Sequence, residues 1–306
     1  MKTQNKILLI PLLLMLLLAL MMVKPMGIMA APVKVELGTA KPFAVLAYTT
    51  ITNSGSTVIT GDVGLSPGAG TAITGFPPGT LDGTIYTVDG TGPAGTVMNP
   101  GLLTTAKADL LIAYEDAEAR DPSDNVNYAE LDGLTLTPGV YNATSSMGLA
   151  VNGTLILDAE GDPNAAFIFQ AGSTLITGSN SKITLINGAT FCRVFWQVGS
   201  SATLGTGSTF VGHILAQESI TATTVAAVEG QLLALNGTVT LDTNEIINDV
   251  CLSTGSGTGS LAVTKTVNGD TSGITLPLFT ITVTGPRGFT STRAFASGET
   301  FTWDNL

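Results

Sequence analysis

The chain has 306 residues, 12 of them Lys or Arg and 23 Asp or Glu, for a net charge of −11; 44% are hydrophobic and only 11% charged. That apolar content argues against a disordered chain. Between positions 31 and 252, six basic residues (Lys34, Lys41, Lys107, Arg120, Lys182 and Arg193) face twenty acidic ones. Phosphate binding needs clustered Lys and Arg, so nucleic acid is not the expected partner, and the acidity reads as solubility.

Lys2 and Lys6, an apolar run from Ile7 to Val23 and the small pair Ala30 and Ala31 make residues 1–30 a secretory signal pattern, with an uncleaved anchor as the alternative. From 31 to about 69 the chain reads as short extended segments, and Thr57 to Val63 as one copy of a repeat met again later. Residues 70–99 are rich in Gly and Pro, which predicts an irregular capping insertion with a short strand at Thr84 to Val88. Asn99 before Pro100 is a helix start. Leu103, Ala106, Leu110, Ala113, Tyr114 and Ala117 then fall at three- and four-residue spacing, which predicts an amphipathic helix over 100–120, ended by Asp121 and Pro122.

From Leu134 to Ile247 short Val, Ile, Leu and Thr segments alternate with Gly, Asn and Pro turns. Within them a nearly charge-free phrase recurs: TLITGSN, TLGTGST, SITATTV and TVTLDTN, from 174 to 244. Leu157, Thr177, Thr206, Thr221 and Leu241 are the expected equivalent points, about one solenoid turn apart. The architecture expected is a mainly β solenoid with the helix alongside; a β-sandwich is the competing fold. The phrase carries paired small polar residues at Thr177 to Asn180, Thr206 to Thr209 and Thr221 to Thr224, while the fourth copy keeps only Asn244 after Leu241 and Asp242. A face of such residues is the candidate binding surface.

Cys192 and Cys251 in an exported chain point to a disulfide, with a pair of buried thiols as the alternative; on the chain-entropy model the bridge adds about 4 kcal/mol. Residues 253–260 read as a flexible linker and 261–306 as a partial β-sandwich domain. Sharper chemistry finds little support. Gly64-Leu65-Ser66-Pro67-Gly68 has the nucleophile-elbow pattern without its strand-to-helix setting, and Gly90-Thr91-Gly92-Pro93-Ala94-Gly95 imitates a dinucleotide loop that Pro93 interrupts. His213 is the single histidine, with no second ligand at metal spacing, and Asp158, Glu160 and Asp162 lack the glycine of a calcium loop. No cofactor, metal or catalytic residue is expected.

The stretches LGTAKPFAVLAYTTITNSGSTVITGDVGLSPG (37–68), TTAKADLLIAYEDA (104–117) and VFWQVGSSATLGTGSTFVGHILA (194–216) resemble the microbial ice-binding protein family of the β-helix type. The resemblance implies a right-handed, discontinuous β-helix of triangular section, one long helix packed beside it, and a capping insertion at 70–99. It also implies that an ice crystal surface is the partner, held on one flat face by the family's pattern of Thr with a small residue, then Thr or Asn two positions on. In this chain that pattern falls on Thr177, Gly178 and Asn180, on Thr206, Gly207 and Thr209, and on Thr221, Ala222 and Thr224, with Asn244 left from a degraded copy. The segment from 261 resembles the prealbumin-like or Cna-B-like stalk domains of microbial surface proteins, which implies a secreted or cell-surface protein attached through its C-terminal part. An adhesive solenoid without ice activity is the alternative; an enzyme would need paired carboxylates that the phrase does not supply.

Overall fold

The computed structural model describes residues 32–77 and 79–248 and, further on, the strands Leu261–Thr264, Phe279–Thr284, Thr290–Phe295 and Thr300–Trp303. Residues 1–30, Cys251 and the linker at 253–260 lie outside the described residues. The described chain divides into two units, one before and one after position 250.

The first unit is a β-solenoid of three stacks of parallel strands. One stack begins at Gly139–Ala143 and continues through Phe167–Ala171, Val194–Val198 and the second halves of Thr209–Ala216 and Ala227–Ala234. These strands read as continuous apolar runs such as FIFQA and VFWQV because both of their sides are covered. Tyr141, Phe169 and Trp196, partners in register, stack inside at centroid distances of 5.4 and 3.9 Å. Val140, Ile168, Phe195, Leu215 and Leu233 point the other way, into a second apolar cluster with the helix. A second stack holds seven strands, from Met147–Leu149 to Ile73–Thr74. The third includes Thr154–Asp158, Lys182–Ile186, Glu245–Ile247 and Val58–Thr60. It joins the first because Thr209–Ala216 and Ala227–Ala234 each run round a corner, at the register partners Gly212 and Gly230. Both have positive φ, and a Cβ on Gly230 would meet the Gly212 carbonyl at 1.9 Å, so only glycine fits there.

The stacking order departs from chain order. Phe43–Ala47 pairs with Ala227–Ala234, Ile51–Ser54 with Val239–Asp242, and Val58–Thr60 with Glu245–Ile247, so the N-terminal coils sit on top of the last C-terminal coil. After building that upper end the chain must return to the lower end, and the helix α1 (Pro100–Glu118) is the return path. Its 19 residues span about 28 Å, close to six coil spacings of about 4.8 Å. The Asn99 side chain accepts from Leu102 N at 3.1 Å, and all six residues of the expected stripe are buried. Burying Leu103 and Leu110 completely contributes about 2 kcal/mol each. The last carbonyls, which a helix end leaves unpaired, are met by Gln170, whose Nε2 donates to Ala117, Glu118 and Arg120 oxygens at 2.8, 3.2 and 2.7 Å. Lys107 ties the helix to the seam between the two sets of coils: its Nζ donates to the Ala234 and Leu235 carbonyls at 2.6 Å each and lies 5.2 Å from the Tyr48 ring centroid. Burial lowers this ammonium from its ordinary value to about 7.

Three expectations need correcting. The helix stops at Glu118, two residues short of the expected 120. Residues 57–63 are no copy of the Thr phrase: Val58–Thr60 lies in the third stack and Asp62–Leu65 in the first. Residues 70–99 are more than a cap, because Ile73–Thr74, Thr80–Asp82 and Ile85–Thr87 add a further strand to each of the three stacks. Among the described residues no helix is long and apolar enough to cross a membrane. In the second unit, Leu261–Thr264 pairs antiparallel with Thr300–Trp303, and Phe279–Thr284 with Thr290–Phe295.

Candidate functional site

Of the three outer faces, the first is covered by α1 and its apolar cluster. The third is uneven and charged, with Lys182, Glu229, Glu245 and Asp82 on its outward rows. The seven-stranded stack remains. Its strands follow a half-buried pattern in which every second side chain points out.

The outward positions line up. Thr203 pairs with Thr221, Thr221 with Thr240, Thr240 with Thr52, and Thr52 with Thr74, a row of five threonines on five successive coils. Two residues earlier on each strand runs a second row: Ser146, Thr174, Ser201, Ser219, Thr238 and Thr50. Each of the last five gives its carbonyl oxygen to the strand of the coil before it. Its hydroxyls also touch one another and the neighbouring backbone, Ser146 Oγ to Thr174 Oγ1 at 2.8 Å and Thr238 N donating to Ser219 Oγ at 3.1 Å. The rows repeat at about 4.8 Å up the stack and stand about 6.7 Å apart along the strand. Below Thr203 the central row passes to Ile176 and Gly148, so the hydroxyl lattice belongs to the upper coils. Asp242, at the far edge, is the one charged side chain on these strands, and it accepts from Thr224 Oγ1 at 2.5 Å.

Beyond that edge the chain turns into the third stack through a left-handed residue on six of the coils: Asn152, Asn180, Gly207, Val225, Thr243 and Gly55, with φ between 53° and 73°. The N–H of each of the first five donates to the next coil, to Ser179, Thr206, Thr224, Asp242 and Ser54 oxygens in turn.

This corner scatters the residues singled out from sequence. Thr221 lies in the central outward row and Gly178 at the rim of the same face, where a Cβ would meet Val151 N at 2.4 Å. Thr206 and Thr224 are exposed on the corner, and Asn180 and Gly207 are two of its left-handed residues. Thr209 stands on the third face beside Lys182 and Ala227. Thr177, Ala222 and Asn244 point inward, exposed by only 4%, 1% and 2%. Thr177 Oγ1 accepts from Gly205 N, and Asn244 Nδ2 donates to the Thr223 and Ala226 carbonyls. These three are therefore internal supports of the corner and not surface groups. The error was one of alignment. Matching TG at 177 to TG at 206 and TA at 221 implies coils of 29 and 15 residues. The register pairs Ile176 with Thr203 and Thr203 with Thr221, coils of 27 and 18 residues. The residues thus missed, Thr203, Thr240, Thr52 and Thr74 with the Ser and Thr row beside them, carry a legible signal: SATL at 201, SITA at 219, TVTL at 238 and TITN at 50 all alternate hydroxyl, inward residue, Thr, inward residue.

A parallel solenoid with one outer face of ranked, nearly uncharged hydroxyl rows defines the class, a β-solenoid with a repetitive polar face. Residues 45–247 match the model of the Ice-binding-like family, and this chain belongs to that family. It is 47% identical over 213 residues to an ice-binding protein of Nostoc sp. (strain HG1), covering 69% of this chain and 73% of that one. It is 39% identical over 214 residues to an ice-binding protein of Flavobacterium frigoris (strain PS1), covering 69% and 75%. Among solved structures, it matches an ice binding protein from an Antarctic biological consortium at 44% identity with a TM-score of 0.64, covering 71% of this chain and 92% of that one. An ice-binding protein domain of Shewanella frigidimarina matches at 33% with a TM-score of 0.65, covering 71% and 98%.

Proposed function

We propose that this protein binds ice crystals through the outer face of its seven-stranded stack and thereby inhibits ice growth and recrystallisation. The observation that carries the reading is the five-coil register of Thr203, Thr221, Thr240, Thr52 and Thr74 beside a parallel row of Ser and Thr. Hydroxyls repeated at the coil spacing approximate a lattice repeat of ice, so they hold bridging waters already close to lattice positions, and merging with the crystal costs little further ordering. The Thr methyl groups keep the surface flat between those waters. Charged side chains would hold competing hydration shells, and on the seven strands of this stack the one charge is Asp242, already bonded to Thr224. The relatives' names support ice as the partner. The family is named for binding and not for a reaction, which supports a non-enzymatic role.

Export to the cell exterior rests on the pattern of residues 1–30. We extend the reading to a Cys192–Cys251 disulfide closing the solenoid and to surface attachment through the unit after position 250. The test of the function is an ice-shaping and recrystallisation assay on the wild-type protein and on Thr221→Tyr. Faceted crystals with the wild type and rounded ones with the variant are expected. Unshaped ice at high wild-type concentration would leave an adhesive solenoid as the better reading.

A further inference from the structure

The left-handed corner holds one residue whose chemistry does not suit its backbone. Val225 has a φ of 62° and is 57% exposed. Left-handed backbone is tolerated by Gly and, among side-chain residues, by Asn and Asp; for a β-branched residue it is a strained outlier. Four of the six corner positions are Asn or Gly. The other β-branched member, Thr243, puts its Oγ1 to use by donating to Asp242 Oδ1 at 3.1 Å. Val225 has no such polar group, and half of its side chain stands in solvent, so core burial does not offset the strain. Its backbone N–H bond to Asp242 O, 3.1 Å, would be made equally by Asn or Gly. The fold therefore gains nothing at this position that Asn would not supply better, and strain retained without structural return points to a use at the surface.

The position suggests which use. Val225 follows Thr221 and Thr224 on one coil, the second of the five that carry the Thr row. It stands at the rim of the proposed ice face, next in chain to the exposed Thr224, whose carbonyl takes the Gly207 N–H of the neighbouring coil. We propose that Val225 is an ice-contacting residue whose isopropyl group extends the flat surface round the corner and excludes liquid water from its edge. This rests on the ice-binding reading above. An aliphatic group serves there because it displaces weakly held water without holding a hydration shell of its own.

The test uses the full chain and two variants, Val225→Asn and Val225→Gly, with Thr221→Tyr alongside. Circular dichroism melting should show Val225→Asn more stable than wild type, since the strain is relieved. Both Val225 variants should nonetheless need about fivefold more protein to arrest recrystallisation, the loss of one aliphatic contact. Activity equal to or above wild type in both overturns the proposal, and so does a lower melting temperature for Val225→Asn, which would mean that valine is kept for stability. If Thr221→Tyr also leaves ice shaping intact, it is the face itself that has been misassigned. If Thr221→Tyr abolishes shaping while the Val225 variants match wild type, only the role of Val225 falls.

Discussion

Thr240 and Thr52 are direct partners across the seam where the N-terminal coils stack on the last C-terminal one. They are 188 positions apart in the chain and one coil apart on the face. The proposed ice surface is therefore continuous only because the solenoid is assembled out of sequence order.

A bulky residue on either side of that seam should act alike. Thr52→Tyr and Thr240→Tyr are each expected to abolish ice shaping, while Thr209→Tyr, on the third face beside Lys182, leaves it unchanged. Crystal morphology under a microscope, with folding checked by circular dichroism, decides the matter. Equal losses in all three variants would mean that the binding surface is not confined to this face.

Asn244 should prove structural. Its Nδ2 spans the Thr223 and Ala226 carbonyls while its Oδ1 accepts from Asp242 N. Removing such a buried hub by Asn244→Ala is expected to cost about 2 kcal/mol. Thermal melting should show the loss, and recrystallisation inhibition near 0 °C, where the fold persists, should stay near wild type.

Gln170 closes the C-terminal end of α1. Gln170→Leu leaves three carbonyls without their donor and is expected to destabilise the protein by about 1–3 kcal/mol. Hydrogen exchange should speed up first in the last turn of the helix. Uniform protection along α1 in the variant would contradict this role.

His213 sets a pH window. It is 2% exposed, and burial, opposed by a hydrogen bond to the Cys192 backbone, pushes it from 6.5 down to about 4. Below pH 6.5 the unfolded chain takes up a proton that the folded chain refuses, so the stability present above 6.5 is lost as pH falls, by at most about 1.4 kcal/mol per unit. The loss ends near pH 4, where both states are protonated. His213→Leu should flatten this part of the melting curve against pH relative to wild type; an unchanged slope would assign the window to carboxylates instead.

Much of the fold was legible in particular residues. The stripe from Leu103 to Ala117 and the Asn99–Pro100 start located α1 because helix periodicity and capping are local properties. The recurring phrase announced stacked coils for the same reason. Its register was not legible. Strand alternation fails where a left-handed residue such as Asn180 or Gly207 turns the corner, so counting across that turn assigned Thr177, Ala222 and Asn244 to a surface they do not reach.

By itself, then, the sequence determined the kinds of element, their turns and the scarcity of charge from which a hydrated lattice could be built. Only the tertiary structure decided which threonines share a face. Parallel pairing joins strands by backbone hydrogen bonds between coils, and nothing local in Ile51–Ser54 states that Val239–Asp242 is its neighbour. That pairing joins segments 188 positions apart, so it carries a loop-closure cost that no local propensity offsets and that contacts spread along the solenoid must meet.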